Sequence, residues 1–126
     1  MLRYKTSTIE QTNNGIVCFR AEADDLYDES DLMAILDLME QAADGKPFLL
    51  IMIVNKFEFL MTKEARKLFQ HYEKAQKLIK AEAVVINSRS TKILYNLLTM
   101  VNKPKFPFKA FTSEQEAIAW LLRFKA

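Results

Sequence analysis

Residues 48–54, Phe-Leu-Leu-Ile-Met-Ile-Val, form the longest uninterrupted apolar run of the 126-residue chain. Seven consecutive apolar residues cannot alternate between a buried and a solvent-facing side, so a strand here has both faces covered. This pattern is typical of an interior strand in a parallel or mixed sheet packed between helices. The run is too short to cross a bilayer. We therefore predict a central β-strand and no membrane-spanning segment.

The overall composition, with 50% apolar and 27% charged residues, is that of a globular protein, and we expect one domain over residues 1–126. The N-terminus lacks the apolar region of a secretory signal, and the single cysteine, Cys18, excludes a disulfide framework. A cytoplasmic location and a buried, inert thiol are the corresponding expectations.

Residue types needed for catalysis or metal binding are scarce. His71 is the only histidine, and together with Cys18 it cannot supply the three or four ligands of a zinc site. Neither Gly15 nor Gly45 lies in a glycine-rich phosphate loop. We expect no metal, no cofactor and no enzymatic activity.

Alternating apolar residues predict an N-terminal β-hairpin, with strands at Leu2–Gln11 and Gly15–Glu22 joined by Thr12–Gly15. Short buried strands are expected at Ala83–Asn87 and Phe106–Phe111, and Pro107 places the second at a sheet edge.

Helical spacing predicts four helices between and after these strands. The first begins near Asp31, with Ser30 or Asp28 as its cap. The second is capped by Thr62 and reaches Ile79, and the third starts at Ser88 or Ser90 with Ile93 facing inward. The last opens at the capping box 113–116. The order β-β-α-β-α-β-α-β-α predicts an α/β fold with a mixed sheet and a parallel core.

Charge is segregated along the chain. Nine acids and no base lie between Ala21 and Gly45, whereas residues 62–109 contain eleven Lys or Arg and three Glu. The simplest interpretation is two solvated faces, with the acids at a solvated helix start, although opposite faces also favour a homodimer. Nucleic acid is not expected, because the bases follow a helix face without interleaved exposed aromatics.

Polar residues follow two of the predicted parallel strands at the edge where ligands bind in such sheets. They are Asn55 and Lys56, with Thr62 at the next helix start, and Ser88 and Arg89. They either hold an anion at helix N-termini or simply cap those helices. Between them, Phe57, Phe59 and Met61 make the loop unusually apolar. That loop either folds over the sheet end, binds a partner or lines a small apolar pocket.

The element order, the strand followed by the loop 55–62, and the run Phe111-Thr-Ser-Glu-Gln-Glu-Ala-Ile-Ala-Trp-Leu121 together resemble a STAS domain of the SpoIIAA-like type. This is the fold of bacterial anti-sigma-factor antagonists. In that family an Asp-Ser-Ser-Gly motif opens the second helix. Met61 falls at the aspartate position and Thr62 at that of the phosphorylated serine, while Lys63 and Glu64 replace Ser-Gly. The chain therefore resembles a divergent member that lacks the motif, and Thr62 is its phospho-switch position by resemblance only.

The resemblance implies a noncatalytic regulatory module that binds another protein through residues 55–62 and the exposed side of the second helix. The alternative is a carrier or sensor of a small apolar or amphipathic ligand, because some SpoIIAA-like domains resemble the lipid-binding CRAL-TRIO fold.

Overall fold

The strands of the computed structural model form one sheet. The structure describes residues 1–21, 27–54, 72–86, 88–89, 92–93, 96 and 105–125. Within these residues the sheet has six strands in chain order, β1 to β6. Their bounds are Leu2–Tyr4, Ser7–Gln11, Ile16–Ala21, Phe48–Val54, Ile79–Val85 and Phe108–Phe111. The strands β1, β2 and β3 pair antiparallel, and β3, β4, β5 and β6 pair parallel. The predicted mixed sheet with a parallel core is confirmed.

Three complete helices are described: α1 at Glu29–Ala42, α2 at Glu73–Leu78 and α3 at Glu114–Leu122. Arg89, Lys92, Ile93 and Asn96 are also helical. Asp28 caps α1 in a capping box with Asp31, and the Ser113 hydroxyl accepts a hydrogen bond from the Glu116 N–H at the start of α3. Side chains that accept hydrogen bonds from free backbone N–H groups thus set both helix starts, as the sequence predicted.

The central strand is interior and covered on both faces, as predicted. On one face, Phe48, Leu50 and Met52 belong to a cluster with the inward residues of α1 and α2. On the other face, Leu49, Ile51 and Ile53 belong to a second cluster with Ala117 and Leu121 of α3. Leu50 is completely buried, and every other described side chain of this strand is at most 5% exposed. Consecutive residues therefore serve two separate cores, which is why all of them are apolar.

The predicted first strand is in fact two strands, β1 and β2, separated by a turn at Lys5 and Thr6. Lys5 adopts φ 51°, a left-handed conformation that reverses the chain. The turn falls in the polar run 5–8, Lys-Thr-Ser-Thr, which contains neither glycine nor proline, so the sequence carried no strong turn signal. The predicted hairpin turn at Thr12–Gly15 is confirmed, with Gly15 at φ 79°.

The predicted continuous helix from Thr62 to Ile79 is wrong at its C-terminal end. Tyr72 has extended backbone, with φ −67° and ψ 128°, and precedes the short helix α2. Ile79 then opens β5, so that strand starts four residues before the predicted Ala83. Ile79 pairs with Phe48, and a register shift follows before Ala81 pairs with Leu49. The tertiary pairing with β4 overrides the helical spacing of this segment.

Ile93 is 54% exposed, which contradicts its predicted inward position. Among the described residues of this segment, Asn96, three positions later, contacts the sheet. Its side-chain oxygen accepts from the Ala110 N–H at 2.9 Å, and its amide nitrogen donates to the Ala110 carbonyl at 3.4 Å. A polar residue therefore contacts the sheet edge, and Ile93 is wrong as an inward residue; the other residues predicted to face inward lie outside the described part of the chain.

Asn96 occupies the place of a further strand at the β6 edge. Pro107 and Phe111 accept hydrogen bonds from β5, so the alternate residue Ala110 directs its backbone groups away from β5. Open strand edges promote intermolecular pairing. By satisfying both groups of Ala110, the Asn96 amide closes this part of the edge.

Replacing Asn96 by leucine is expected to lower the free energy of unfolding by about 1–3 kcal/mol, because the buried Ala110 N–H and carbonyl lose their partners. Self-association should also increase. Urea denaturation and sedimentation velocity measure the two effects. Asn96→Asp is the matched control, since its side chain keeps an acceptor for the Ala110 N–H. If that hydrogen bond contributes to stability, Asn96→Asp should lose less unfolding free energy than Asn96→Leu. A leucine variant as stable and as monomeric as the wild type would contradict the edge-closing role.

Candidate functional site

The sequence-predicted site lies largely outside the described residues. Of its eight residues, Asn55, Lys56, Phe57, Phe59, Met61 and Thr62 fall in the part of the chain that the structure does not describe. Ser88 and Arg89 are described: Ser88 is half-buried, Arg89 is exposed, and the Ser88 carbonyl accepts from the Lys92 N–H at 3.0 Å. That bond places Ser88 at a helix start, as predicted, and leaves the Arg89 side chain accessible.

The strands β4 and β5, which precede the two predicted clusters, end at the same edge of the sheet. Ile53 pairs with Val85 in the parallel β4–β5 ladder. The chain after Val54 and the chain before Ser88 therefore leave the sheet on adjacent strands, which lie about 5 Å apart. The segment 55–62 itself lies outside the described residues, so the meeting of the two clusters stays a prediction.

Arg20 adds a charged group near this edge that the sequence analysis did not select. It lies next to the end of β3, and its guanidinium nitrogens contact the Glu114 carboxylate at 3.4 and 3.5 Å. Glu114 is the first residue of α3, so the pair ties the helix start to β3. Both side chains are substantially exposed, and an exposed pair of this kind contributes less than about 1 kcal/mol. The only sequence signal was a charged residue inside an apolar strand.

A polar cluster joins the N-terminal turn to α1. The Tyr4 hydroxyl donates to Asp31 Oδ1 at 2.5 Å, Lys5 Nζ donates to Asp31 Oδ2 at 3.1 Å, and the Asp28 N–H donates to Asp31 Oδ2 at 3.0 Å. The Asp31 side chain is only 9% exposed. Lys5 Nζ also lies 5.8 Å from the ring centre of Tyr27. The expected solvated helix start is therefore wrong for Asp31, which is a buried and fully engaged carboxylate.

The pKa values in this cluster reflect its hydrogen bonds. Burial would raise the pKa of Asp31, but the bonds from Tyr4, the Asp28 backbone and Lys5 together lower that pKa to about 2. The bond to Asp31, assisted by burial and by the Asp31 charge, raises the pKa of Tyr4 to about 12. Both groups keep their ordinary charge states at neutral pH, so the cluster is suited to holding β1 against α1.

Glu82 is the residue that sequence reasoning missed most completely. It lies in the middle of β5, is 3% exposed, and its Oε1 atom has no hydrogen-bond partner among the described residues. Burial raises the pKa of this carboxyl to about 8, so the protonated form predominates at neutral pH. The available signal was an acid directly before the run 83–86, Ala-Val-Val-Ile, between the end of the predicted second helix and the predicted strand.

Part of the charge segregation is resolved inside the molecule. Lys74 of α2 contacts Asp37 of α1 at 2.5 Å and Glu40 of α1 at 3.0 Å. Hydrogen bonds to these two acids raise the pKa of Lys74. The basic and acidic segments thus face each other at this point, so their charges are not solely available to a partner.

Cys18 is buried in the second core cluster, as predicted, and burial raises the pKa of its thiol. Within the described ranges, no group of three or more His, Cys, Asp or Glu is arranged to hold a metal ion. No described helix combines the length and the apolar character needed to cross a membrane.

The fold matches a crystal structure of an uncharacterized protein from the DUF3478 family of Shewanella loihica PV-4, which has a SpoIIAA-like fold. The two chains are 18% identical, the match covers 91% of each, and the TM-score is 0.59. At this identity the likeness establishes the fold alone. The predicted SpoIIAA-like, STAS-type fold is confirmed.

Residues 10–125 match the family model described as Domain of unknown function (DUF7793), and the chain belongs to that family. No curated protein matches the sequence. Tyr4 and Lys5 lie before the matched residues, so the contacts that they make to Asp31 come from outside the family model.

Proposed function

We propose that this protein is a noncatalytic cytoplasmic regulatory module that binds another protein through the carboxyl edge of its sheet. The observation that supports this most is the SpoIIAA-like fold over 91% of the chain. In parallel sheets, segments that leave the carboxyl ends of neighbouring strands meet at one surface. That surface comprises the segment 55–62 and residues Ser88 and Arg89.

Charge at this edge supports a protein partner. Arg89 is exposed, while Arg20, near the end of β3, is paired with Glu114. An exposed cation that contributes little to folding is available for an acidic group of a partner, where it increases association rate and selectivity. Phosphorylation of Thr62, the phospho-switch position by resemblance only, is part of this proposal as a means of regulation, because it would add negative charge to the proposed binding segment.

Reversing the charge at Arg89 is expected to weaken capture of the partner at least tenfold without lowering stability. The measurement is affinity capture from a native lysate with the wild type, Arg89→Glu and Thr62→Glu, followed by titration of the captured protein. Lys46→Glu is the matched control, since Lys46 is also exposed but precedes β4 at the opposite edge. Equal capture by Arg89→Glu and Lys46→Glu would exclude this edge as the binding surface.

A carrier or sensor of a small apolar or amphipathic ligand is the second candidate function. Glu82 favours it, because a buried carboxyl with an unpartnered oxygen inside an apolar cluster is characteristic of binding pockets. Native mass spectrometry of the freshly purified protein tests this function, and an unmodified chain mass would count against it.

A further inference from the structure

Glu82 is the feature of the core that packing does not explain. Its partners in register are Leu50 on β4 and Phe108 on β6, so apolar side chains flank it on the same face. The fully buried Ile86 belongs to the cluster on this face, as does Val84. A leucine or valine at position 82 would match these surroundings, whereas a carboxyl without a partner lowers stability.

No described charge compensates for this carboxyl. Lys80 on the same strand is exposed and donates to the Lys125 carbonyl at 3.3 Å. On α2, Lys74 is paired with acids of α1 and Lys77 with Glu73. Near β6, Lys105 and Lys109 are exposed, and β4 carries no charged residue. Burial is accordingly the sole cause of the raised pKa of Glu82.

We propose that the Glu82 carboxylate is the polar contact of a buried site for a small apolar molecule that carries a protonated primary amine. An ammonium group supplies the hydrogen bond that Oε1 lacks and also neutralises the charge, whereas a hydroxyl supplies only the bond. The neighbours in register, Leu50 and Phe108, are apolar, which favours an apolar ligand body. A carboxylate ligand is disfavoured because it would leave a net negative charge in the buried site, which an ammonium ion paired with the Glu82 carboxylate does not.

Proton balance follows directly from this chemistry. The ammonium ion binds the ionised carboxylate. When the pH is below the pKa of Glu82, the carboxyl must first lose its proton, so each binding event releases one proton to solvent. The reactants are R–NH₃⁺ and the neutral carboxyl, and the products are the ion pair and H⁺. The association constant therefore rises tenfold for each pH unit up to about 8 and then levels off. This inference rests on the carrier function and gives it a ligand class.

The experiment titrates the full chain with n-hexylamine, n-hexanol and hexanoate by calorimetry between about pH 6 and pH 9. Hexylammonium is expected to bind the wild type with the tenfold-per-unit slope, to release one proton, and to bind Glu82→Gln at least tenfold more weakly with no slope. Hexanoate should not bind. Glu116→Gln, at an exposed position of α3, is the matched control and should behave as the wild type.

Three outcomes would overturn the proposal. Equal, pH-independent binding of hexanol and hexylammonium would be consistent with the carrier function but would exclude an amine as the ligand class. Unchanged hexylammonium binding by Glu82→Gln would place the ligand elsewhere. Absence of binding by all three probes would exclude both the amine site and a carrier of small apolar molecules.

Discussion

Replacing Glu82 by leucine is expected to raise the free energy of unfolding at about pH 8 by roughly 3–5 kcal/mol. The buried carboxyl has no compensating partner, so the folded state resists its ionisation while the unfolded chain does not. Leucine removes this difference and fills an apolar environment formed by Leu50 and Phe108.

The sign of the pH dependence follows from the raised pKa. Below the ordinary glutamate value of 4.5, Glu82 is protonated in both states and imposes no ionisation cost. Between 4.5 and about 8, the unfolded state loses the proton first, so stability falls by about 1.4 kcal/mol per pH unit. Above about 8 both states are ionised and the loss is complete. Urea denaturation of the wild type and Glu82→Leu across this range measures the difference.

The comparison isolates one residue because the other titrating groups are common to both proteins. The gain in Glu82→Leu should be small below pH 4.5 and grow steadily towards pH 8. Glu116→Leu, at an exposed site, should show no such growth. Parallel stability curves for the wild type and Glu82→Leu would mean that Glu82 finds a partner or solvent in solution.

Replacing Asp31 by alanine is expected to lower the free energy of unfolding by about 3 kcal/mol. One contribution, about 1 kcal/mol, is loss of the reciprocal cap of α1, in which the Asp31 side chain accepts from the Asp28 N–H. The remainder comes from the Tyr4 hydroxyl and Lys5 ammonium, which lose their acceptor. Thermal or urea unfolding monitored by circular dichroism measures the sum.

The dependence of the unfolding free energy on pH below about 4 measures the contribution of the Asp31 carboxylate independently. The folded pKa of Asp31 is about 2, below the ordinary value of 3.8, so its contribution is present above 3.8 and is lost as pH falls towards 2. The shift corresponds to about 2 kcal/mol. Asp31→Ala should lack this acid-dependent loss.

Asp37→Ala, on the same helix with a 68% exposed side chain, is the control and should cost less than about 1 kcal/mol. Equal losses in the two variants would contradict the anchoring role of Asp31.

The candidate site was predictable from the sequence only in outline. The carboxyl ends of β4 and β5 lie side by side, as the strand pattern implied, and Ser88 starts a helical segment. Glu82 and the contacts of Asp31 were missed for different reasons. Asp31 was identified near a helix start, but its burial depends on Tyr4 and Lys5, 27 and 26 residues away. Glu82 was missed because the strand begins before the residue at which its apolar run starts.

Local patterns alone determined the central strand, the first and last helix starts and the parallel core. An unbroken apolar heptapeptide and side chains that cap helices act over a few neighbouring residues, so the structures they favour can be predicted from the sequence. Tertiary structure decided the turn at Lys5, the start of β5 and the exposure of Ile93. It also decided which acids are buried. The energy of a carboxyl or an apolar side chain depends on what distant segments place beside it, and hydrophobic spacing contains no information about those neighbours.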